Sequence, residues 1–167
     1  MSGHASGMSD PREDLLRKAG CSERVIAHCR AVCTLALSFS GSATVDRDLV
    51  REGAMLHDIG RSRSHSITHA QEGAAILRAL GIRDDVVRVA ERHIGAGLTA
   101  DECSLMGLLP RDCMPRTLEE QIVANADNLV QGHRETSIVR LLQHSYHLRR
   151  RLRQRHYRLW VRMEAFR

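Results

Sequence analysis

Glu52-Gly-Ala-Met-Leu-His-Asp-Ile-Gly60 is the stretch that decides how this chain is read. An apolar helical run (Leu49, Val50, Ala54, Met55, Leu56) ends on two ionisable side chains, His57 and Asp58, ahead of Ile59 and a terminating Gly60. Ionisable groups at a buried helix end cost free energy unless they are paired, hydrogen-bonded or bound to a metal. Taken alone, the dipeptide also suits a solvated last turn or a cap. The rest of the chain decides between these readings.

The 167 residues suit one domain with a substantial core. Aromatic residues make up only 3% of the chain. Leu, Val, Ala and Ile instead recur at helical spacing, which predicts an all-α domain built on aliphatic packing, with no strand pattern, internal repeat or linker. The five cysteines (Cys21, Cys29, Cys33, Cys103, Cys113) are odd in number and lack paired C-x-x-C spacing. They read as small core residues of a reducing, cytoplasmic compartment. No secretory leader is visible, and the longest apolar run, Ala31 to Phe39, is too short to span a bilayer. A soluble protein with no membrane partner is expected.

The net charge of +5 is unevenly placed. From Arg134 onward there are ten arginines against two glutamates, so residues 1–133 carry a net −3. A basic tail on a slightly acidic body suggests a polyanionic partner, a phosphate-bearing substrate or self-association. The plainer reading is a solvated helix face.

In chain order, residues 1–9 read as disordered, and Asp10-Pro11-Arg12-Glu13 opens a first helix that ends at Gly20. Ser22 caps a second, on which Val25, His28, Val32, Leu35 and Phe39 share a stripe. Thr44 or Asp46 caps the helix carrying His57 and Asp58. Thr68 with Gln71 resembles a capping box, placing His69 in the next helix's first turn, and a further helix ends at His93. Thr99 with Glu102 and Thr117 with Glu120 open two more; on the latter, Asp127 falls within an apolar stripe and needs a partner. From Glu135 to Arg167 no Gly or Pro interrupts the chain, which predicts one long, basic, amphipathic helix with an apolar stripe through Leu141, Leu148, Leu152, Leu159 and Met163.

His28, His57, Asp58, His69, His93 and Asp127 thus stand at helix ends or on core-facing stripes of five helices. Imidazoles and carboxylates converging in a helical bundle are what a divalent first-row metal needs. The order H…HD…H…H…D resembles the HD-domain superfamily of metal-dependent phosphohydrolases, in its HDIG subset, over about residues 10–132. The chain is most similar to a prokaryotic, largely archaeal group of stand-alone HD proteins. The stretches that carry the likeness are GCSERVIAHCRAV (20–32), LHDIGRSRSHSITHAQEGA (56–74), ERHIGAGL (91–98) and LEEQIVANADNLV (118–130). The organisation implied is an HD-domain helical bundle over 10–132, with residues 133–167 as a helical extension packed on it or continuing it.

The resemblance assigns roles residue by residue. His28, His57, Asp58 and Asp127 would match the ligands of one metal, and His69 and His93 the additional histidines of two-metal members, in which the Asp of the doublet bridges. His69 has a rival role, hydrogen-bonding substrate phosphate from a helix N-terminus. His65 reads as an outer residue. One or two divalent transition metals are implied, Mn, Fe, Co, Ni or Zn ahead of Mg. The function implied is hydrolysis of a phosphomonoester, phosphodiester or phosphoanhydride, of a nucleotide or small phosphorylated metabolite, by a metal-activated hydroxide. His57, Asp58 and Arg61 are the catalytic candidates, and Arg61, Arg63 and Asn128 the substrate-binding ones, because guanidinium donors fit phosphate oxygens in pairs. No G-Y-P signature stands beside the doublet, which counts against cyclic di-guanylate as substrate.

Two other classes compete. Some HD proteins with this ligand order are di-iron oxygenases, which need iron and O₂. Alternatively the arginine-rich C-terminal helix could grip RNA or another polyanion beside a non-catalytic metal site, although few aromatics are available to stack bases. The same helix offers a homodimer seam at least as readily.

Overall fold

The computed structural model describes residues 10–42 and 44–167, so the disorder expected for residues 1–9 falls outside the described part. Helix starts follow their caps. Asp10 accepts from Arg12 N at 2.9 Å to open α1 (Pro11–Ala19), and Ser22 accepts from Val25 N to open α2 (Glu23–Phe39). Asp46 caps α3 (Arg47–Leu56) by accepting from Asp48 N and Leu49 N. Full capping boxes, Thr99 with Glu102 and Thr117 with Glu120, open α6 (Ala100–Leu105) and α7 (Leu118–Asn128). Between them in the chain lie a 3₁₀ turn (Ile59–Ser62), α4 (His69–Ala79) and α5 (Asp84–Arg92).

The start of α4 differs from the sequence expectation. Thr68 is itself helical (φ −66°, ψ −19°) and makes no capping bond. Its hydroxyl donates instead to Glu72 at 2.6 Å, and Ser64, Ser66 and Thr68 hydroxyls link across the helix entrance. That arrangement leaves the Ser66 carbonyl free to accept from His69.

α2 packs on α3 and α7, α3 on α5, and α4 on α5 and on the 3₁₀ turn. Ile26, Phe39, Leu56, Ile59, Leu77 and Ile122 are fully buried where these helices meet. A smaller cluster of Leu98, Cys103, Leu108, Cys113 and Leu152 lies beside the main core, pinned by an antiparallel bridge between Leu98 and Cys113. All five cysteines are free and buried. No described helix is long and apolar enough to cross a membrane.

The C-terminal segment is a correction to the single long helix. It forms α8 (Ile138–His144), a turn, and α9 (Arg150–Glu164). The Ser145 hydroxyl donates to Leu142 O and Leu148 N bonds Ser145 O, closing the turn. The bend lets Leu152 reach the smaller cluster while Leu159 and Met163 enter the main core against α7. Burying each such side chain gains roughly 1.5–3 kcal/mol, more than a broken helical turn costs. The stripe expected to serve as a dimer seam is therefore spent inside the chain's own core.

A short ribbon, β1 (Val130–Gln131) against β2 (Arg134–Glu135), is the other departure from the expected absence of strands. Its turn runs through Gly132 at φ +65°.

Candidate metal centre

Four imidazoles reach one point, each oriented by a backbone carbonyl. His57 follows the last turn of α3 and its Nδ1 donates to Ala54 O at 2.8 Å; His93 follows α5 and donates to Ala90 O at 2.7 Å. His69, at the head of α4, donates to Ser66 O at 2.6 Å. His28, midway along α2, donates to Gly132 O in the ribbon turn at 2.7 Å. Each partner is three residues upstream except Gly132, and a carbonyl can only accept. Nδ1 must therefore carry a hydrogen in all four, so that each imidazole, when neutral, aims an Nε2 lone pair inward.

Those lone pairs meet carboxylates and one another. His28 Nε2 lies 2.9 Å and His57 Nε2 3.4 Å from Asp127 Oδ1, and both are 3.7 Å from Asp58 Oδ2. On the other side, His69 Nε2 and His93 Nε2 stand 3.0 and 3.5 Å from Asp58 Oδ1, and 3.1 Å from each other. Asp58 thus turns one oxygen to each pair of histidines. His57 Nε2 and Asp58 Oδ1 are buried without a hydrogen bond. Acceptors facing acceptors at such distances repel unless protons or a cation lie between them.

The residues fit a metal on this observation. Donor atoms of His28, His57 and Asp127 all lie within 4.8 Å of one another, as do those of His57, Asp58 and His93. The carbonyl bonds at Nδ1 are the outer contacts that hold a ligating imidazole in its tautomer. Charge follows the same geometry. Burial alone would depress His57, but Asp58 and Asp127 outweigh it and push the imidazole up to about 9. Burial acts against both carboxylates too, yet the surrounding imidazoles, His57 for Asp58 and His28 with His57 for Asp127, hold them well below the usual range. His93 is lowered, chiefly by burial.

His57, Asp58, His69 and His93 are buried; His28 and Asp127 are half-buried and open onto a cleft of about 470 Å³. Arg61 lines that cleft and its Nε donates to Asp58 Oδ2. Arg63 is exposed and does not line it. Nor does Asn128, whose amide donates to Gly95 O at 2.8 Å and ties the loop after His93 to α7. His65 is exposed at the cleft mouth.

The sequence reading passed over Arg24, Gln131 and Gly132, which also line the cleft. Arg24 could have been found, because it precedes His28 by one helical turn and must share its face. A further support is Glu120, buried on α7, whose two carboxylate oxygens both accept from Arg92 Nη1, at 2.9 and 3.0 Å. That pair fixes the end of α5, where His93 stands, against the helix that carries Asp127.

The HD domain family profile matches residues 25–132. The chain belongs to the HD-domain family. An uncharacterised protein of Methanocaldococcus jannaschii is 51% identical to this HD protein over 123 residues, 71% of this chain and 73% of that one. A tRNA (cytidine(56)-2′-O)-methyltransferase of Thermoplasma volcanium is 46% identical over 125 residues, 75% of this chain. That match covers only 37% of the methyltransferase, so most of the enzyme lies outside it. Among solved structures, the HD domain of the L. monocytogenes phosphodiesterase PgpH, in complex with cyclic-di-AMP, superposes with a TM-score of 0.57. The alignment covers 93% of this chain and 95% of that one at 16% identity, a likeness of fold.

Proposed function

We propose that this HD protein hydrolyses a phosphate ester or anhydride, of a nucleotide or another small phosphorylated metabolite, using one or two divalent transition metals. His28, His57, Asp58 and Asp127 would hold one ion and His69 and His93 the second, with Asp58 offering an oxygen to each. The observation that carries this reading is the pair of imidazoles on either side of Asp58, each fixed by a carbonyl bond, with His28, Asp58 and Asp127 opening onto one cleft. Bound there, such a metal acidifies water and polarises a phosphoryl oxygen.

The chain's own groups do the rest. Burial of the four innermost side chains keeps bulk water from competing at the centre. Arg61 steadies Asp58 through Nε, and its remaining guanidinium donors face the cleft, where a substrate phosphate would sit. Arg24, at the mouth, supplies a second cation. Imidazole-rich ligation favours Mn, Fe, Co, Ni or Zn over Mg. The fold relative PgpH is a phosphodiesterase, which makes phosphodiesters the first substrates to test.

The test is a screen of phosphorylated metabolites with each metal, run anaerobically and again with O₂, alongside elemental analysis of the protein as purified. Release of phosphate or a phosphomonoester with Mn or Co is expected. Turnover that required iron and O₂ would replace this reading with an oxygenase.

A further inference from the structure

A basic face of α9 lines a cavity that shares no residue with the cleft at the metal centre. Arg150, Arg153, Gln154, Tyr157 and Arg158 recur at three- and four-residue spacing, so they share one face of the helix, and with Leu142 of α8 they line a cavity of about 440 Å³. Among the described residues no ion pair joins a carboxylate to Arg150, Arg153 or Arg158. Among the described residues, Arg155 and Arg167 are the two arginines of this segment that pair with an acid, through Glu102, Glu135 and Glu164. Among the described residues before Arg134 most arginines meet acids, Arg12, Arg17, Arg30, Arg78, Arg83 and Arg92 among them, while Arg24, Arg47, Arg51 and Arg63 do not. Arg153 Nε is moreover buried with no hydrogen-bond partner.

We infer that this face binds the phosphodiester backbone of a single nucleic-acid strand. Arg150 and Arg158 stand eight residues apart, about 12 Å along the axis. That length exceeds what one free phosphate needs and suits successive phosphates of a strand. Guanidinium forks match phosphate oxygens in pairs, and Tyr157, 49% exposed in the same row, offers a ring to a base. A second copy of the chain is the wrong occupant, since like faces would bring arginine against arginine. Insertion into a bilayer is excluded, because the apolar side of α9 (Leu152, Leu159, Met163) is buried in the core.

The experiment measures anisotropy of a fluorescein-labelled, unstructured 20-nucleotide RNA with the full chain in EDTA, so that it does not depend on catalysis or on metal. Arg150→Glu/Arg158→Glu, both exposed, should weaken binding at least tenfold, and the charge-neutral Arg150→Gln/Arg158→Gln should flatten the salt dependence by about 1.4 in log–log slope. Arg51→Glu, an exposed reversal on α3, should cost much less. Equal loss in Arg51→Glu would reduce the effect to net charge and overturn the site. So would RNA affinity unchanged in the double variants, or wild-type binding to vesicles containing anionic lipid but not to RNA.

Discussion

At the scale of single residues, the centre is defined by where hydrogens are not. Four Nδ1 atoms spend theirs on carbonyls, so four Nε2 atoms converge on two carboxylates. Replacing Asp58 by Asn removes the one group that faces both histidine pairs. Loss of outer contacts alone typically costs about 10–100-fold in such sites, so Asp58→Asn should cut metal-dependent turnover by more than that and lower bound metal on elemental analysis. Its helical circular dichroism should persist, because the doublet serves the site and not the core; full turnover would remove Asp58 from its assigned role. The cleft makes a second, comparative prediction. Arg24→Ala removes a charge-assisted contact worth about 1.5 kcal/mol and should raise KM roughly tenfold with kcat little changed, whereas Arg63→Ala should leave both within about twofold. The six convergent residues were legible in sequence because their types and helix-end spacing have no common structural explanation. The different fates of Arg61 and Arg63 were not. The 3₁₀ turn brings Arg61 back onto Asp58 three residues earlier, and a two-residue step then carries Arg63 out to solvent.

Elements set the positions of these residues, and the closest approach is between the 3₁₀ turn and α4. A Cβ on Gly60 would lie 1.9 Å from His69 O and 2.6 Å from Gly73 N, both backbone atoms that cannot move alone. Gly60→Ala should therefore force Asp58 and His69 apart and destabilise the fold by about 3 kcal/mol or more, read as a lowered denaturation midpoint. A variant as stable as the parent would show that α4 is not seated on this glycine. The sequence marked Gly60 as a helix stop, which is correct but incomplete, since the demand comes from a neighbour 9 residues on. Two other features lay beyond the pattern for similar reasons. The ribbon is too short to show alternation, yet it delivers the Gly132 carbonyl to His28. The break at Ser145–Arg149 contains neither Gly nor Pro; it exists because Leu152 and Met163 gain more by turning back onto the body than a straight helix would offer.

For the whole molecule, α9 acts as a brace behind the site. His156 packs its Nε2 against Gly95, two residues past His93, and Arg155 donates to Gly97 O at 2.7 Å. Arg155 also grips Glu102 at 2.6 and 2.8 Å, an ion pair about four-fifths shielded from solvent. This pair sets an acid limit. The Arg155 guanidinium is the largest influence on Glu102 and, with the Thr99 amide, holds its carboxyl down at about 2 from an ordinary 4.5. A depressed carboxyl stabilises the fold fully above its unfolded value and loses that contribution as pH falls through the folded one. The pair should therefore contribute about 1–2 kcal/mol after solvent screening above pH 4.5, and less and less between 4.5 and 2. Glu102→Gln keeps the capping bond to Thr99 and removes only the charge. At pH 6 it should melt a few degrees below the parent, and the two curves should converge as the pH approaches 2. A gap that stayed constant across that range would show that the stabilisation does not come from the ionised Glu102 carboxylate, and the pair would then set no acid limit.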